Sequence, residues 1–352
     1  MKNDRISFEG KTVFVGLDVH KKTYSLTAIV ESSVVFKMTM KADFKALATM
    51  LLDRFKGAKL IHVAYEAGFS GFGLQRYMQF KGITCSVVNA SSIHVAVNDK
   101  VKTDLRDSRK IAEELSCGRI KSIYIPSRKE ELKRQITRRR GQIVQMRAQT
   151  SQQIKSFLMF NSLMDIDDSR PISRRYLKAI QEKVEGIDEL EYVVRSYVHQ
   201  WETFTLQLLE FRKVLQKQGD DEKHVHAIYE STPGIGLISA RILANELGDM
   251  SRFSNEKKLF CFLGLTPCEY SSGENVRRGH ISRQGPSRLR ALLVEVAWRA
   301  VTVDGGLKLT FDNLKKRIGA KKAIVAMARK LIGKVRACFR TNTPFRLSVA
   351  TP

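Results

Sequence analysis

The chain is poor in the residues that staple or anchor a protein. Its 352 residues include only five cysteines, Cys85, Cys117, Cys261, Cys268 and Cys338, with no C-x-x-C pair among them. An odd and scattered set excludes a disulfide framework and a zinc finger, and all five are expected as small buried packing residues. No uninterrupted apolar stretch reaches the roughly 18 residues of a membrane span, and the start Met1-Lys2-Asn3-Asp4-Arg5-Ile6 is too polar for a signal peptide. A cytoplasmic protein with no membrane partner is therefore expected. No P-loop is present, which argues against chemistry driven by ATP. Negative charge is also scarce: 36 Asp and Glu stand against 61 Lys and Arg, leaving a formal charge of +25. That excess is far beyond what solubility needs and points to a polyanionic partner, nucleic acid first.

The positive charge is unevenly spread. Residues 120–155 hold ten basic and two acidic residues, net +8, and residues 270–340 hold seventeen basic and four acidic, net +13. With 43% hydrophobic residues the chain can build real cores, and its length allows two or three domains.

Against this basic background four acids stand out. Asp18 interrupts the strand-like run Val13-Phe14-Val15-Gly16-Leu17-Asp18-Val19, where a charge is costly unless paired or bound to a cation. Glu66 closes a second apolar run, Leu60 to Tyr65, just before the glycine-bearing turn Ala67-Gly68-Phe69-Ser70-Gly71. Open α/β sheets place their sites at such carboxyl ends. Asp104 and Asp107 are three residues apart and share one face of a predicted helix. Taken singly, Asp104 suits a helix start and Asp107 could pair with Arg106 or Lys110; together the four form an oxygen-only set that favours Mg²⁺ or Mn²⁺.

Periodicity predicts strands at Val13–Val19, Tyr24–Val30, Val34–Met40, Leu60–Ala67 and Thr84–Val88. Helices are predicted at Asp43–Phe55, Gly71–Phe80 and Asp104–Ser116. A meander followed by alternating helix and strand suggests a mixed sheet covered by helices, able to set the first and fourth strands side by side. That order resembles the ribonuclease-H-like (RuvC-like) fold, and the resemblance implies two-metal phosphodiester chemistry.

From about Ser127 the strands stop. A basic helix over Arg128–Leu158 carries Arg138-Arg139-Arg140, a candidate phosphate-gripping face. Next, Ile187, Leu190, Val194, Tyr197, Trp201, Phe204, Leu208, Phe211 and Leu215 alternate spacings of three and four, a heptad seam. Such a seam packs either against the first helix or between chains as a coiled coil; a homo-oligomer, dimer or tetramer, is expected, with Trp201 in a core. Near residue 222 the pattern becomes a short helix, Thr232-Pro233-Gly234-Ile235-Gly236, and a second apolar helix. This resembles a helix-hairpin-helix, in which Gly234 and Gly236 would let backbone approach a phosphate. The chain thus divides into 1–126, α/β; 127–221, long helices with a coiled coil; and 222–352, mostly helical. Downstream, Gly264-Leu265-Thr266-Pro267 leads to Tyr270-Ser271-Ser272-Gly273 and then to Arg277, Arg278, Arg283, Arg288 and Arg290 within fourteen residues. Arginine forks beside glycines read as a phosphate-binding loop. A serine there could be a nucleophile, though ordinary loop serines are commoner.

Five motifs in order make the resemblance specific. Gly16-Leu17-Asp18-Val19-His20-Lys21, Tyr65-Glu66-Ala67-Gly68 and Lys102-Thr103-Asp104-Leu105-Arg106-Asp107 precede Thr232-Pro233-Gly234-Ile235-Gly236. Gly264-Leu265-Thr266-Pro267 follows, with Ser272-Gly273 and Ile281-Ser282-Arg283-Gln284-Gly285 after it. Together they resemble the insertion-sequence-110 transposase family with a DEDD catalytic set, which includes the Piv-type DNA invertases, over about residues 13–340. The resemblance implies that Asp18, Glu66, Asp104 and Asp107 bind Mg²⁺, and that Ser272 attacks DNA to form a covalent phosphoserine, with Ser271 a rival and Tyr270 a remoter one. It also implies guidance by a structured non-coding bridge RNA, with double-stranded element ends and target as the DNA partners. The competing readings are a Piv-like site-specific invertase, a metal-dependent junction nuclease using water, and a nucleic-acid-binding structural protein with inert acids.

Overall fold

In the computed structural model, residues 7–89, 93, 103–269 and 277–348 are described. Contacts divide the chain into two compact units, residues 1–126 and 127–352.

The first unit is built on a five-stranded sheet of order β3-β2-β1-β4-β5, comprising β1 (Thr12–Val19), β2 (Thr23–Val30), β3 (Ser33–Lys41), β4 (Leu60–Glu66) and β5 (Thr84–Val88). The first three strands form an antiparallel meander, whereas β4 runs parallel to β1 and β5 parallel to β4. The sheet is therefore mixed, with the first and fourth strands adjacent as the sequence order suggests. Alternation along β1 sorts its residues between two layers. Val13, Val15 and Leu17 join Leu26, Tyr65 and Val87 in a core closed by Leu47, Leu51 and Phe55 of α1 (Phe44–Arg54) and its C-cap, and by Leu74 and Met78 of α2 (Gly73–Phe80). On the opposite face, Ala64 and Val88 pack with Ile111 and Leu115 of α3 (Asp104–Ser116).

Gly16 is what lets α3 lie so close to that face. A Cβ there would stand 2.0 Å from the Ser108 carbonyl oxygen and 2.4 Å from the Ala112 nitrogen. The buried Thr27 and Ser108 hydroxyls, 2.9 Å apart, tie β2 to the same helix.

Among its described residues the second unit is helical apart from one hairpin. It comprises α4 (Arg128–Phe160), α5 (Arg174–Val184), α6 (Asp188–Asp221), α7 (Lys223–Glu230), α8 (Leu237–Leu247) and α9 (Glu256–Leu263). The antiparallel strands β6 (Pro267–Glu269) and β7 (Arg278–Ile281) follow, then α10 (Ser287–Val303), α11 (Gly305–Ile318) and α12 (Ala320–Thr341). The heptad seam on α6 finds its partner inside the chain: Leu190, Val194, Tyr197 and Trp201 pack with Ile154 and Leu158 of α4 and with Tyr176, Leu177 and Ile180 of α5. Buried Trp201 donates its indole N–H to Ser151 Oγ at 3.0 Å. The seam therefore supplies no argument of its own for association between chains. The segments on either side of residue 221 share packing, because α4 and α6 both lie against α8.

Cysteine burial differs from expectation. Cys85 alone is buried, and burial pushes its thiol up to about 12; Cys117 and Cys261 are exposed, and Cys268 and Cys338 are half-buried, all of them free. Cys117 is the C-cap of α3 and Cys261 lies on the open side of α9, so neither is turned into a core.

Candidate active site

The acids assemble at one end of the sheet. The registered pair Leu17–Tyr65 is the last between β1 and β4, and Asp18 and Glu66 are the next residue on each strand. By alternation both follow Gly16 and Ala64 onto the face that α3 covers. Helix α3 starts at that edge, with Thr103 as N-cap accepting from the Arg106 N–H, and with Asp104 and Asp107 in its first turn. Acids suit a helix N-terminus electrostatically. The same two residues thereby stand over the end of β1.

The structure brings Asp18, His20 and Asp104 together. One ligand atom of each lies within 4.8 Å of the others, and the described residues contain no other group of three or more such side chains. His20 Nε2 is 3.1 Å from Asp18 Oδ2 and 3.4 Å from Asp104 Oδ1. Asp107 is not in that tight group; its Oδ1 lies 3.5 Å from Lys110 Nζ, but its charge reaches Asp18. Glu66, exposed at the end of β4, is also outside it. The electrostatics of Asp18 follow from this crowding. Burial holds its carboxyl above the ordinary aspartate range, opposed by His20 and reinforced by Asp104 and Asp107. A part-buried carboxylate facing two others is an unfavourable arrangement that a hard divalent cation would relieve.

His20 escaped the sequence reading. Its signal was present in the Asp-x-His spacing, which sets both side chains on one side of a strand end, but a histidine before two lysines reads as a turn residue.

The second unit places the remaining candidates. Glu269 and Arg278 form the last registered pair of the β6–β7 hairpin. Tyr270, Ser271, Ser272 and Gly273 belong to the segment joining these strands and lie outside the described residues. The hairpin's base is fixed by two close approaches: a Cβ on Gly264 would meet the Gln284 carbonyl oxygen at 2.0 Å, and one on Gly285 the Phe262 carbonyl oxygen at 2.1 Å. Arg290 Nη1 donates to the carbonyls of Leu263, Gln284 and Gly285 at 3.1–3.2 Å. Arg277 and Arg283 are exposed, Arg283 with a left-handed φ of 55°.

Several predicted phosphate contacts have other partners. Arg138 grips the buried Glu246 through two bonds, Nε–Oε1 at 2.8 Å and Nη2–Oε2 at 3.0 Å. Arg288 reaches the same carboxylate at 3.3 Å and the Thr137 carbonyl at 3.1 Å. These contacts give both arginines a role in joining α4, α8 and α10. Arg138 and Arg139 are both exposed, but only Arg138 is bonded to Glu246, whereas Arg139 donates to Gln142 Oε1 at 3.2 Å; Arg140 is half-buried. In the α7–α8 turn, Gly234 (φ 82°) is required by packing, since a Cβ would meet Arg299 Cβ and the Val296 carbonyl oxygen of α10 at 2.8 Å. Gly236 is different: nothing lies within 4 Å of its Cβ position, and no side chain caps α8, which it precedes.

Comparison with known proteins gives the family. The family model described as Transposase IS116/IS110/IS902 family matches residues 226–311, and a second transposase model, of the DEDD type of IS110, matches residues 15–161. A Sinorhizobium fredii protein carrying the transposase name y4qE is 30% identical over 300 residues, 82% of this chain and 72% of its own length. The chain belongs to the IS116/IS110/IS902 transposase family. The transposase for insertion sequence element IS1533 of Leptospira borgpetersenii is 24% identical across 96% of this chain and 98% of its own. The pilin gene-inverting protein of Moraxella bovis is 31% identical over 128 residues, 35% of this chain and 39% of its own. The chain is accordingly an insertion-sequence transposase, a DNA-processing enzyme, and the DEDD-type match spans all four acids. No described helix is long and apolar enough to cross a membrane.

Proposed function

We propose that this transposase exchanges DNA strands through a covalent bond between Ser272 and a DNA phosphate, with Asp18, Glu66, Asp104 and Asp107 serving the same reaction as ligands of Mg²⁺ or Mn²⁺. The observation that carries the metal reading is the convergence of Asp18 and Asp104 beside His20, with Asp107 adding its field and the Asp18 carboxyl held up by burial. Oxygen donors in this number fit a hard cation. When bound, it would polarise the scissile phosphate and favour loss of the serine proton.

The chain's own groups account for the remaining chemistry. Ser272 Oγ forms a bond to phosphorus, and the DNA oxygen leaves with the electron pair of the broken bond and takes up a proton. The phosphoester energy stays in the serine ester, so a hydroxyl of a second strand can reverse the attack and release Ser272 without ATP. Arg277, Arg278 and Arg283 flank the serine segment and would neutralise charge growing on the phosphoryl oxygens. Phosphates of the bound backbone would also meet Arg139 and the open N-terminus of α8 beside Gly236. A structured bridge RNA pairing with element ends and target would supply the choice of sequence, consistent with a basic chain that has no recognisable groove-reading motif. Two duplexes require at least two active sites, so a dimer or tetramer acting in the bacterial cytoplasm is part of the proposal. The likeness to the Moraxella bovis protein favours site-specific inversion as the second reading.

The test is a strand-transfer assay with element-end DNA, its adjacent transcribed RNA and Mg²⁺, scored on denaturing gels for protein-linked DNA. Linkage is expected with the wild type and with Ser271→Ala, and is expected to vanish with Ser272→Ala and Asp18→Ala. Metal-dependent nicking with no linkage, unaffected by Ser272→Ala, would replace this proposal with a nuclease that uses water.

A further inference from the structure

We infer that the paired helices α4 and α6 carry a second DNA-backbone contact, formed by Arg140 and Arg147 on one helix and Arg212, Lys213 and Lys217 on the other. The inference deepens the transposase reading and rests on it for the identity of the polyanion.

Two contacts fix the antiparallel register of these helices. Trp201 bonds Ser151 at one end, and Lys133 pairs with Glu222 at the other. Counting inward at about 1.5 Å per residue, Arg140 falls opposite residues 212–214 and Arg147 roughly two turns further along the pair. Like charges are thus set against one another. The Arg140 Nε is buried with no hydrogen-bond partner. Burial depresses the Arg140 guanidinium pKa, and the charges of Arg147 and Arg212 depress it further.

None of the five cations has an ion pair with an acidic side chain among the described residues. The Arg147 guanidinium lies over the Trp201 ring, 5.7 Å from its centroid. Arg212, Lys213 and Lys217 are exposed and line a groove of about 360 Å³ with Gln216 and Asp220, whose carboxylate accepts from Gln216. A half-buried guanidinium among like charges destabilises the free chain, which an anion on the site would reverse. The cations are strung along two helices instead of converging on a point, so they suit an extended polyanion better than a small one. Double-stranded DNA is the polyanion that a transposase engages, and phosphate contacts of this kind grip without reading sequence.

The experiment measures binding of the full-length protein to a duplex of arbitrary sequence by fluorescence anisotropy across a salt series. Metal-free buffer keeps any strand chemistry silent, so failure of the serine mechanism does not affect the result. The quadruple variant Arg147→Gln, Arg212→Gln, Lys213→Gln, Lys217→Gln is compared with an equally discharged control on α5, Arg174→Gln, Arg175→Gln, Lys178→Gln, Lys183→Gln. The slope of log K against log salt should fall by about 3–4 in the first variant, near 0.9 per lost phosphate contact, and by less than about 1 in the control. Restoring all four positions as lysine should recover most of the slope, and the free quadruple variant should melt no lower than wild type. An unchanged slope, an equal loss in the α5 control, or a loss confined to a structured RNA while duplex DNA binding stays intact would each overturn the inference.

Discussion

Gly16→Ala is the smallest change that should dismantle the acid cluster without touching an acid. The added methyl would start 2.0 Å from the Ser108 carbonyl oxygen and 3.0 Å from the Ala112 Cα. A carbon against a carbonyl oxygen needs about 3.3 Å, so β1 and α3 must separate by roughly 1.3 Å. Both sides of the clash are backbone, and no side chain can rotate out of the way. Ser108 follows Asp107 directly, so the shift moves the first turn of α3 away from Asp18. Overpacking of this kind costs about 1–3 kcal/mol, and backbone on both sides puts Gly16→Ala at the upper end. The corresponding fall in melting temperature is on the order of 5–10 °C for a unit of this size. A 1 Å misplacement should lower strand transfer about 100-fold. Differential scanning calorimetry and a Mn²⁺ titration would read both effects. Gly73→Ala, with nothing within 4 Å of its Cβ position at the start of α2, is the matched control and should be neutral or slightly stabilising. If Gly16→Ala melts and binds Mn²⁺ like wild type, the account of how α3 is held over β1 is wrong.

Further outcomes follow from the electrostatics. The Asp18 carboxyl is raised, so the native chain keeps this proton to higher pH than the unfolded chain, and stability is lost as pH rises through the two values. Asp18→Asn should therefore melt higher than wild type in chelator near pH 7, with the difference fading below pH 4, while abolishing activity. For the same reason Mn²⁺ affinity should begin to fall, on acidification, above the ordinary aspartate range, which calorimetric titrations at several pH values would reveal. Glu246 is buried and bonded to Arg138 and Arg288, whose guanidinium groups stay partly in solvent, so Glu246→Gln should destabilise the helical unit by about 1–3 kcal/mol in denaturant unfolding.

The first unit was legible because each of its elements is decided locally. Apolar alternation fixes Thr12–Val19, and Asp43 and Thr103 mark helix starts by accepting from their own first turns. Asp18 and Glu66 were visible as single acids in or closing otherwise apolar strands. What sequence could not supply were partners far along the chain. Arg138 and Glu246 are 108 residues apart, and nothing in Arg138-Arg139-Arg140 separates a guanidinium bound to Glu246 from one open to phosphate. Gly234 looked like a phosphate-approach glycine; its missing Cβ is needed by α10, more than sixty residues on. The seam on α6 was read correctly as a packed face, but a heptad spacing does not say whether its partner is α4 of the same chain or another copy.

The most direct test of the central claim is to locate the covalent bond itself. After reaction with element-end DNA, guide RNA and Mg²⁺, nuclease and protease digestion followed by tandem mass spectrometry should find a nucleotide phosphate on Ser272. A phosphate on Ser271 or Tyr270, or cut DNA with every serine unmodified, would contradict it.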